Sequence, residues 1–176
     1  MKYLVISDIH GEYEYASKID SIIEKEKPNK IILLGDLYHR FGESINEYSI
    51  KISNILNKYK DIILCTRGNC DVDIDESISD FIFKDYIELV INNKNFFFTH
   101  GHKYKIDNIP DYVDVYIFGH LHTGFIKTID SRIVANSGSL SLPRNSTPHS
   151  YLIIDNDNII LKDIDGIIID KKVYNK

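Results

Sequence analysis

Cysteine is scarce in the sequence, and the two cysteines that occur form no recognisable motif. Cys65 and Cys70 are the only ones among 176 residues, and no Cys-x-x-Cys spacing is present. The sequence therefore does not encode a disulfide framework. A reducing, cytoplasmic location is the prediction that follows.

Long hydrophobic runs are also missing, which bears on targeting and on membrane association. No stretch approaches the roughly 20 apolar residues that a membrane span needs. The first apolar run, Tyr3 to Ile6, is too short for a secretory signal and meets Asp8 at once. We therefore expect neither a secretory leader nor a membrane partner.

An excess of positive charge is absent as well. The net charge is −5, from 21 basic and 26 acidic residues. This balance disfavours binding of a nucleic-acid duplex through a basic surface. It leaves a phosphate-containing substrate open, because bound cations can reverse the local sign of the electrostatic field.

What is present is an ordinary globular composition, with 43% hydrophobic and 27% charged residues. A chain of 176 residues can bury a core of its own and fits one domain. No linker, repeat or low-complexity segment interrupts the chain. We therefore expect a single domain over residues 1–176.

The first half of the chain alternates between strand and helix patterns. Buried-strand runs occur in "KYLVISD", "KIILLGD" and "DIILCTRGN". A helix is predicted over residues 12–27, closed by Pro28, and another over residues 44–59. The apolar stripe of the second helix consists of Ile45, Tyr48, Ile52, Ile55, Leu56 and Tyr59. This alternation predicts parallel strands with right-handed crossovers.

The second half predicts short strands with antiparallel pairing. "YIELVINN" and "NFFFTHGH" flank an Asn-Asn-Lys turn, which indicates a hairpin. Further strand runs are "DVYIFGH", "GFIKTID", "RIVANSG", "SYLIID", "NIILKDID" and "GIIIDKK", joined by Asp, Asn and Gly turns. The two halves together predict an α/β protein with a two-layered sheet core flanked by helices.

Polar residues cluster where the strand runs end. Ligands of open α/β sheets bind at the carboxyl ends of strands, and five of the runs end in residues that can bind a metal. Five of the seven histidines fall in these positions. The residues are Asp8 and His10, Asp36, Asn69, His100 and His102, and His120 and His122.

Each of these motifs alone has a purely structural explanation. An Asp-x-His after a strand, a Gly-Asp pair and a lone Asn69 are all common in turns and helix caps. His120 and His122 give a stronger signal, because residues two apart in an extended segment point the same way. The coincidence of so many such residues at strand ends favours a ligand set over a series of unrelated turns.

The donor types indicate which metals would bind. Mixed imidazole and carboxylate ligands suit Mn, Fe, Co, Ni or Zn better than Ca or Mg. Without His102 the set has seven donors, which is too many for one tetrahedral zinc ion. Seven donors suit two metals, which a bridging carboxylate would hold about 3.5–4 Å apart for phosphoester chemistry.

Taken in order, "DIH", "GD", "GN", "H" and "GHLH" over residues 8–122 resemble the calcineurin-like metallophosphoesterase superfamily. "RGNCD" and "NSGSLSLPRNSTPHSYLIID" are similar to its short YfcE-type phosphodiesterase branch. Ser137 stands where that branch usually has a proline, which bears only on local turn geometry. The resemblance implies the metallophosphoesterase fold, a two-layer mixed β-sheet sandwich with helices outside.

The resemblance also implies a role for each motif position. The first metal would be bound by Asp8, His10 and His122. The second would be bound by Asn69, His100 and His120, and Asp36 would bridge the two. Mn is the expected metal, with Ni, Co, Fe and Zn as alternatives.

The reaction that the resemblance implies is hydrolysis of a small phosphodiester by attack of a metal-bridging hydroxide. Asp36, Asn69 and His100 would be the catalytic residues, acting through that hydroxide. The substrate would be a small molecule. A homodimer or a higher homo-oligomer is compatible with the family.

Three residues are further candidates for binding the substrate: Arg67, Cys70 and His102. Arg67 precedes the "GN" motif and could either contact the substrate phosphate or anchor the loop. His102 lies two residues past His100 and could either lie at the rim of the site or serve only in a turn. Cys70 stands where many relatives carry a histidine, so a leaving group would be protonated by water, by His39 or His102, or not at all. This favours diesters with good leaving groups.

Two other functions stay open. The protein could be a phosphomonoesterase of the same fold, although the Gly-Asn-His typical of such enzymes is absent. It could also be a catalytically inactive protein-interaction scaffold, like the retromer subunit of this fold. All seven ligand positions hold competent residues, which favours an enzyme.

Overall fold

The computed structural model describes residues 1–175, which form two β-sheets and four short helices. The strands are β1 Lys2–Ile6, β2 Lys30–Leu33, β3 Ile63–Thr66, β4 Phe83–Lys84, β5 Tyr86–Ile91, β6 Lys94–Thr99, β7 Val115–Phe118, β8 Gly124–Ile129, β9 Arg132–Ser137, β10 Ser150–Asp155, β11 Asn158–Asp163 and β12 Ile168–Val173. The helices are α1 Tyr13–Ala16, α2 Ile19–Glu26, α3 Glu47–Asn57 and α4 Asp73–Ser77, and two 3₁₀ turns cover Lys60–Ile62 and Ile106–Asn108.

The first sheet has the strand order β12-β11-β10-β1-β2-β3-β4. Strands β1 to β4 are parallel to one another, as the alternation of strands and helices predicts. The remaining strands, β10 to β12, join through antiparallel pairs, beginning with β10 against β1. The parallel pairing brings the carboxyl ends of β1, β2 and β3 to the same edge.

The second sheet has the order β5-β6-β7-β9-β8 and is only partly antiparallel. The hairpin between β5 and β6 turns at Asn92 and Asn93, whose φ angles of 48° and 62° are those of a type I′ turn. The prediction of antiparallel pairing is wrong for β7, which is parallel to both β6 and β9. Residues 100–114 connect β6 to β7 and are long enough for a crossover, so both strands end at the same edge.

The two predicted helices are shorter than the sequence indicates. The first is divided into α1 and α2, because the chain tightens at Lys18, whose N–H bonds to Tyr15 O three residues back. The second begins at Glu47, because the Asn46 side chain accepts hydrogen bonds from two backbone N–H groups and caps the helix. Tyr48 of the predicted stripe is 46% exposed, so the buried stripe is narrower than predicted.

Packing produces three apolar layers. The central layer lies between the two sheets and includes Val5, Ile32, Phe98 and Ile117. Helices α1 to α3 cover the outer face of the first sheet. On the outer face of the second sheet, the cover is segment 104–113, which has no α-helix and contributes Ile109 and Val113.

Phe98 provides a test of the central layer. Its side chain is 0% exposed, and we expect Phe98→Ala to lower the free energy of unfolding by about 3–5 kcal/mol, because truncation leaves a cavity between the sheets. Phe41→Ala is the matched control, since Phe41 is 82% exposed, and should change stability by less than about 0.5 kcal/mol. Urea denaturation measures both, and equal losses would contradict the packing described.

Candidate metal centre

Every residue predicted as a metal ligand lies just beyond the carboxyl end of a strand. Those following β1, β2 and β3 come from the first sheet, and those following β6 and β7 come from the second. Backbone hydrogen bonds join the loops after β1 and β2, where His10 N donates to Asp36 O at 2.9 Å. Gly119 N donates in the same way to His100 O at 3.0 Å, which joins the loops after β6 and β7.

The first group of converging donors comprises Asp8, His10 and His122. His122 Nε2 lies 3.2 Å from Asp8 Oδ1 and 3.1 Å from His10 Nε2. His10 Nε2 is 3.6 Å from the same carboxylate oxygen. The three donor atoms therefore face a common point and could hold one metal ion.

The second group comprises Asn69, His100 and His120. His100 Nε2 lies 3.0 Å from Asn69 Oδ1 and 3.2 Å from His120 Nδ1. His120 thus presents its Nδ1 atom, whereas His100 presents Nε2. One oxygen and two nitrogens again converge on a single point.

Asp36 lies between the two groups. Its Oδ2 atom is 3.6 Å from His10 Nε2 and 3.3 Å from His100 Nε2. Its other oxygen, Oδ1, accepts a hydrogen bond from Cys70 N at 2.8 Å. The backbone therefore fixes one oxygen of the carboxylate and leaves the other facing both groups.

Three of the imidazoles are oriented by backbone carbonyl groups. The acceptors of their Nδ1–H groups are His39 O for His10 (3.3 Å), Leu34 O for His100 (2.7 Å) and Leu142 O for His122 (2.7 Å). A neutral imidazole that donates from Nδ1 carries its lone pair on Nε2. These contacts set the tautomer that metal binding needs.

One buried oxygen provides a direct test of whether a metal fits. Asp8 is 0% exposed, and its Oδ1 atom has no hydrogen-bond partner within residues 1–175. Its Oδ2 atom accepts from Ser7 Oγ at 2.5 Å and from His120 N at 2.9 Å. A buried carboxylate oxygen without a partner is costly, and a cation beside His10 and His122 would satisfy it. The donor set therefore fits divalent metal ions.

Five of the ligand candidates have a strained backbone. Their φ angles are positive, in the left-handed region that non-glycine residues seldom adopt. The residues are Asp8 (56°), His10 (50°), Asp36 (55°), His120 (63°) and His122 (58°). Such strain concentrates at functional sites, where the surrounding structure must hold it.

Two glycines permit the close approach of the loops. A Cβ atom on Gly68 would lie 2.1 Å from Asp36 Oδ1, and one on Gly119 would lie 1.9 Å from Ser7 Oγ and 2.7 Å from Asp8 Oδ2. No side chain fits at these distances. The glycines of "GN" and "GHLH" are therefore required by the carboxylates that pack against them.

Asp71 joins the loops after β2 and β3. Its Oδ2 atom accepts from Asp36 N at 2.8 Å and from Gly68 N at 2.7 Å, and Oδ1 accepts from Leu37 N at 3.0 Å. Burial and the charge of Asp36 raise the pKa of Asp71 to about 6, although the three N–H donors oppose this rise. Asp71 is a positioning residue that holds Asp36 in place.

Serine and asparagine side chains support the loops after β1 and β7. Ser139 Oγ and Ser141 Oγ both donate to Asp8 O, at 2.6 and 2.9 Å. Asn136 Nδ2 donates to Gly119 O at 2.6 Å. These residues belong to "NSGSLSLP", so that part of the sequence serves to hold ligand-bearing backbone rather than to bind a metal.

The electrostatics of the cluster favour bound positive charge. Burial disfavours protonation of His100, but a hydrogen bond to Asp36 and the charges of Asp8 and Asp36 raise the pKa of His100 to about 9. Burial raises the pKa of Asp36, and the contact with His100 outweighs this effect, so the net pKa of Asp36 is lowered. The carboxylates thus stay ionised and attract cations.

A cavity of about 490 Å³ opens onto this cluster. Besides proposed ligands it is lined by Arg40, Phe41, Cys70, Leu121, Leu142 and Arg144. Arg40 and Arg144 are the two arginines of this lining. No periodic signal marks Phe41 or the two leucines, because they lie in loops.

The three predicted substrate-binding residues have different surroundings. Cys70 lines the cavity, and burial, followed by the charge of Asp36, raises the pKa of its thiol to about 12. Arg67 is not among the lining residues, and its guanidinium pairs with Asp73 at 3.0 Å and with Glu76. Its position therefore suits anchoring of the loop to α4.

His102 lies behind the second group of donors. Its ring centroid is 5.3 Å from that of His100 and 6.3 Å from that of His120, and the cavity lining does not include it. Burial and the charges of His100 and Lys103 lower the pKa of His102 to about 4. The imidazole is therefore neutral and packs against two candidate ligands.

Fold and site together define a metallophosphoesterase: two mixed sheets whose strand ends converge on a set of imidazole, carboxylate and amide donors. The chain belongs to the calcineurin-like phosphoesterase superfamily, because the model of that superfamily's domain matches residues 1–158. The architecture expected from the sequence, a sandwich of two mixed sheets, is confirmed.

Individual relatives agree with this membership. The chain is 29% identical over 163 residues to the phosphodiesterase YfcE of Escherichia coli strain K12, covering 89% of each chain. The solved structure of the YfcE phosphoesterase from E. coli matches with a TM-score of 0.91 at 27% identity, over 99% of this chain and 100% of that one. Vps29 of Chaetomium thermophilum shares the fold, with a TM-score of 0.68 at 17% identity over 99% and 98% of the two chains.

Asp71→Asn tests the positioning role of Asp71. An amide replaces one acceptor oxygen with an NH₂ group that faces a backbone N–H, so Asp36 should lose its fixed position. We expect Mn²⁺ affinity to fall about 10- to 100-fold, as measured by calorimetric titration of the folded protein. Asp61→Asn is the matched control, because Asp61 is exposed. Unchanged affinity in Asp71→Asn would contradict the role.

Proposed function

We propose that the protein is a dinuclear metal-dependent phosphodiesterase that acts on a small phosphodiester. The observation that carries the proposal is the position of Asp36 Oδ2, which faces His10 Nε2 at 3.6 Å and His100 Nε2 at 3.3 Å. One carboxylate oxygen thereby belongs to both donor groups. The similarity to the E. coli phosphodiesterase supports the reaction class.

The proposed ligands follow the two donor groups. One ion would be held by Asp8, His10 and His122 and the other by Asn69, His100 and His120, and Asp36 would serve both. Manganese is our first choice, with Ni, Co, Fe and Zn as alternatives, because imidazole, carboxylate and amide donors suit these ions. When bound, such ions supply Lewis acidity toward the phosphate ester and an activated water. We propose Asp36, Asn69 and His100 as the catalytic members of the set.

The cavity offers a cationic side chain for the substrate phosphate. Arg144 lines the cavity and has no carboxylate partner within residues 1–175, whereas the other three arginines are ion-paired. A guanidinium that is free of a carboxylate can bind phosphate oxygens in a fork geometry. Arg144 is therefore the residue that we propose to orient the phosphodiester.

The surroundings of the metal centre favour diesters with good leaving groups. His39 cannot easily donate to a leaving group, because its Nε2 atom bonds to Asp75 at 3.0 Å. The Cys70 thiol has a raised pKa of about 12 and is a poor acid near neutral pH. His102 is neutral and outside the cavity lining. No described side chain other than a proposed ligand or an arginine is placed to protonate the leaving oxygen.

Two alternatives have weaker support. A phosphomonoesterase of this fold would be expected to carry a histidine where Cys70 lies. A protein-interaction scaffold is suggested by the likeness to Vps29, but that likeness extends to the fold alone. The complete donor set argues for the enzyme.

We also propose a cytoplasmic location. Cys65 and Cys70 are both buried free thiols, which is typical of a reducing compartment. Within residues 1–175, no helix is long and apolar enough to cross a membrane. A homodimer or a higher homo-oligomer is still predicted from the family resemblance alone.

Metal counting tests the dinuclear centre. The parent protein should bind two Mn²⁺ per chain, and Asp36→Asn should bind fewer, because the shared oxygen is lost. Turnover of bis(4-nitrophenyl) phosphate should fall by roughly two orders of magnitude or more in Asp36→Asn and in Asn69→Ala, while circular dichroism stays unchanged. Asp61→Asn is again the control. Full activity in either variant, measured in metal-free buffer refilled with Mn²⁺, would refute the ligand assignment.

A comparison of substrates tests the reaction class. Bis(4-nitrophenyl) phosphate and 4-nitrophenyl phosphate release the same leaving group, so the rate ratio reports the preference for a diester. We expect kcat/KM to be higher for the diester. Faster hydrolysis of the monoester would favour the phosphomonoesterase, and absence of metal uptake and of turnover under any divalent cation would favour the scaffold.

A further inference from the structure

A second cavity, which we call the side groove, adjoins the candidate metal centre. It has a volume of about 340 Å³ and shares His120 and Leu121 with the larger cavity. Leu121 is 45% exposed between the two. The side groove therefore lies next to the site, and one of the proposed ligands, His120, lines both.

Gly101, which directly follows His100, is part of the lining of the side groove. Gly101 has a φ of 106°, and a Cβ atom there would lie 2.7 Å from the ring of Phe118. Both a steric and a conformational reason therefore require glycine at this position. The loops after β6 and β7, which carry proposed metal ligands, therefore also line the side groove.

The walls of the side groove are mostly apolar. They include Ile106, Tyr116, Phe118, Phe125, Ile129 and Val134. The ring of Phe118 stacks on Tyr116 at 4.8 Å and meets Phe125 edge-on at 6.0 Å. Lys105 is the one charged residue in the lining, apart from the imidazole of His120.

The side groove exists because the cover of the second sheet is incomplete. Segment 104–113 packs over Phe97, Tyr116 and Val134, but Phe118 and Phe125 are only partly buried. Ile129, on the edge strand β8, is 39% exposed. The volume of this apolar groove is within the range of small-molecule binding sites. The polar candidate metal centre lies next to it.

We propose that the side groove binds an apolar substituent of the phosphodiester substrate. This inference rests on the proposed function. A diester has two substituents on phosphorus, and the site has two unlike compartments. One compartment contains Arg144 and suits a polar or charged group, whereas the side groove suits an alkyl, acyl or aryl group. The substrate class is thus a diester with one apolar arm.

The experiment measures kcat/KM of the Mn²⁺-loaded protein on methyl, butyl and octyl esters of 4-nitrophenyl phosphate. The leaving group is the same in all three, so only the apolar arm changes. Concentrations stay below the onset of micelle formation. We expect kcat/KM to rise on the order of two- to fourfold for each methylene that the side groove covers.

Two variants locate the effect. Ile106→Ala and Phe125→Ala should reduce the octyl-to-methyl ratio of kcat/KM, because each removes apolar wall. The ratio is taken on one preparation, so a smaller folded fraction cancels. Ile167→Ala is the matched control, since Ile167 is 66% exposed just before β12 and is absent from the lining. It should leave the ratio unchanged.

The possible results separate the inference from the function on which it rests. A rising series that is flattened by both variants supports the side groove. A flat series with measurable turnover overturns the side groove and leaves the phosphodiesterase intact, and so does a rising series that the variants do not alter. Absence of turnover on all three esters overturns both. Sedimentation in which the two variants dissociate a dimer would show instead that a second copy covers the surface, which also overturns the inference.

Discussion

The negative charge of three buried carboxylates is the constraint on which the rest of the structure depends. Asp8, Asp36 and Asp71 are each less than 10% exposed, and a buried carboxylate is costly unless hydrogen bonds or cations offset its charge. Asp71 is fully engaged by three backbone N–H groups. Asp36 and Asp8 are engaged on one oxygen, and the other oxygen faces imidazoles. The protein therefore offsets only part of this negative charge, and bound cations would offset the rest.

The two sheets contribute different ligand types to the candidate metal centre. The first sheet supplies both cluster carboxylates, and the second supplies three of the four imidazoles, on the loops after β6 and β7. This requires β6 and β7 to be parallel, although the two outer pairs of the same sheet, β5 with β6 and β8 with β9, are antiparallel. The crossover that makes them parallel is segment 100–114. The same segment leaves the outer face of the second sheet partly uncovered. The candidate metal centre and the side groove therefore both depend on this crossover.

The position of the proposed ligands at strand ends could be predicted from the sequence, because apolar runs that stop at Gly-Asp, Gly-Asn or Gly-His mark strand ends without reference to distant residues. The direction of strand pairing was less predictable, because the direction of β7 depends on the connection 100–114, which has no periodic sequence pattern. Arg67 lies two residues before the proposed ligand Asn69, yet its side chain pairs with Asp73 and Glu76, because residues close together in a loop need not point the same way. The partners of Asp71 could not be identified from the sequence for a related reason, since they are backbone N–H groups, which no residue type reveals.

The imidazoles of His10, His100 and His122 are each oriented by a carbonyl group outside their own loop: residues 39 and 34 lie in the loop after β2, and residue 142 lies in the loop after β9. A carbonyl group is present whatever the side chain, so these acceptors survive amino-acid replacement. An insertion or deletion in the loop would be different, because it would move the carbonyl group away from its histidine. Among related chains, the loops after β2 and β9 should therefore vary in composition near these positions while tolerating few insertions or deletions.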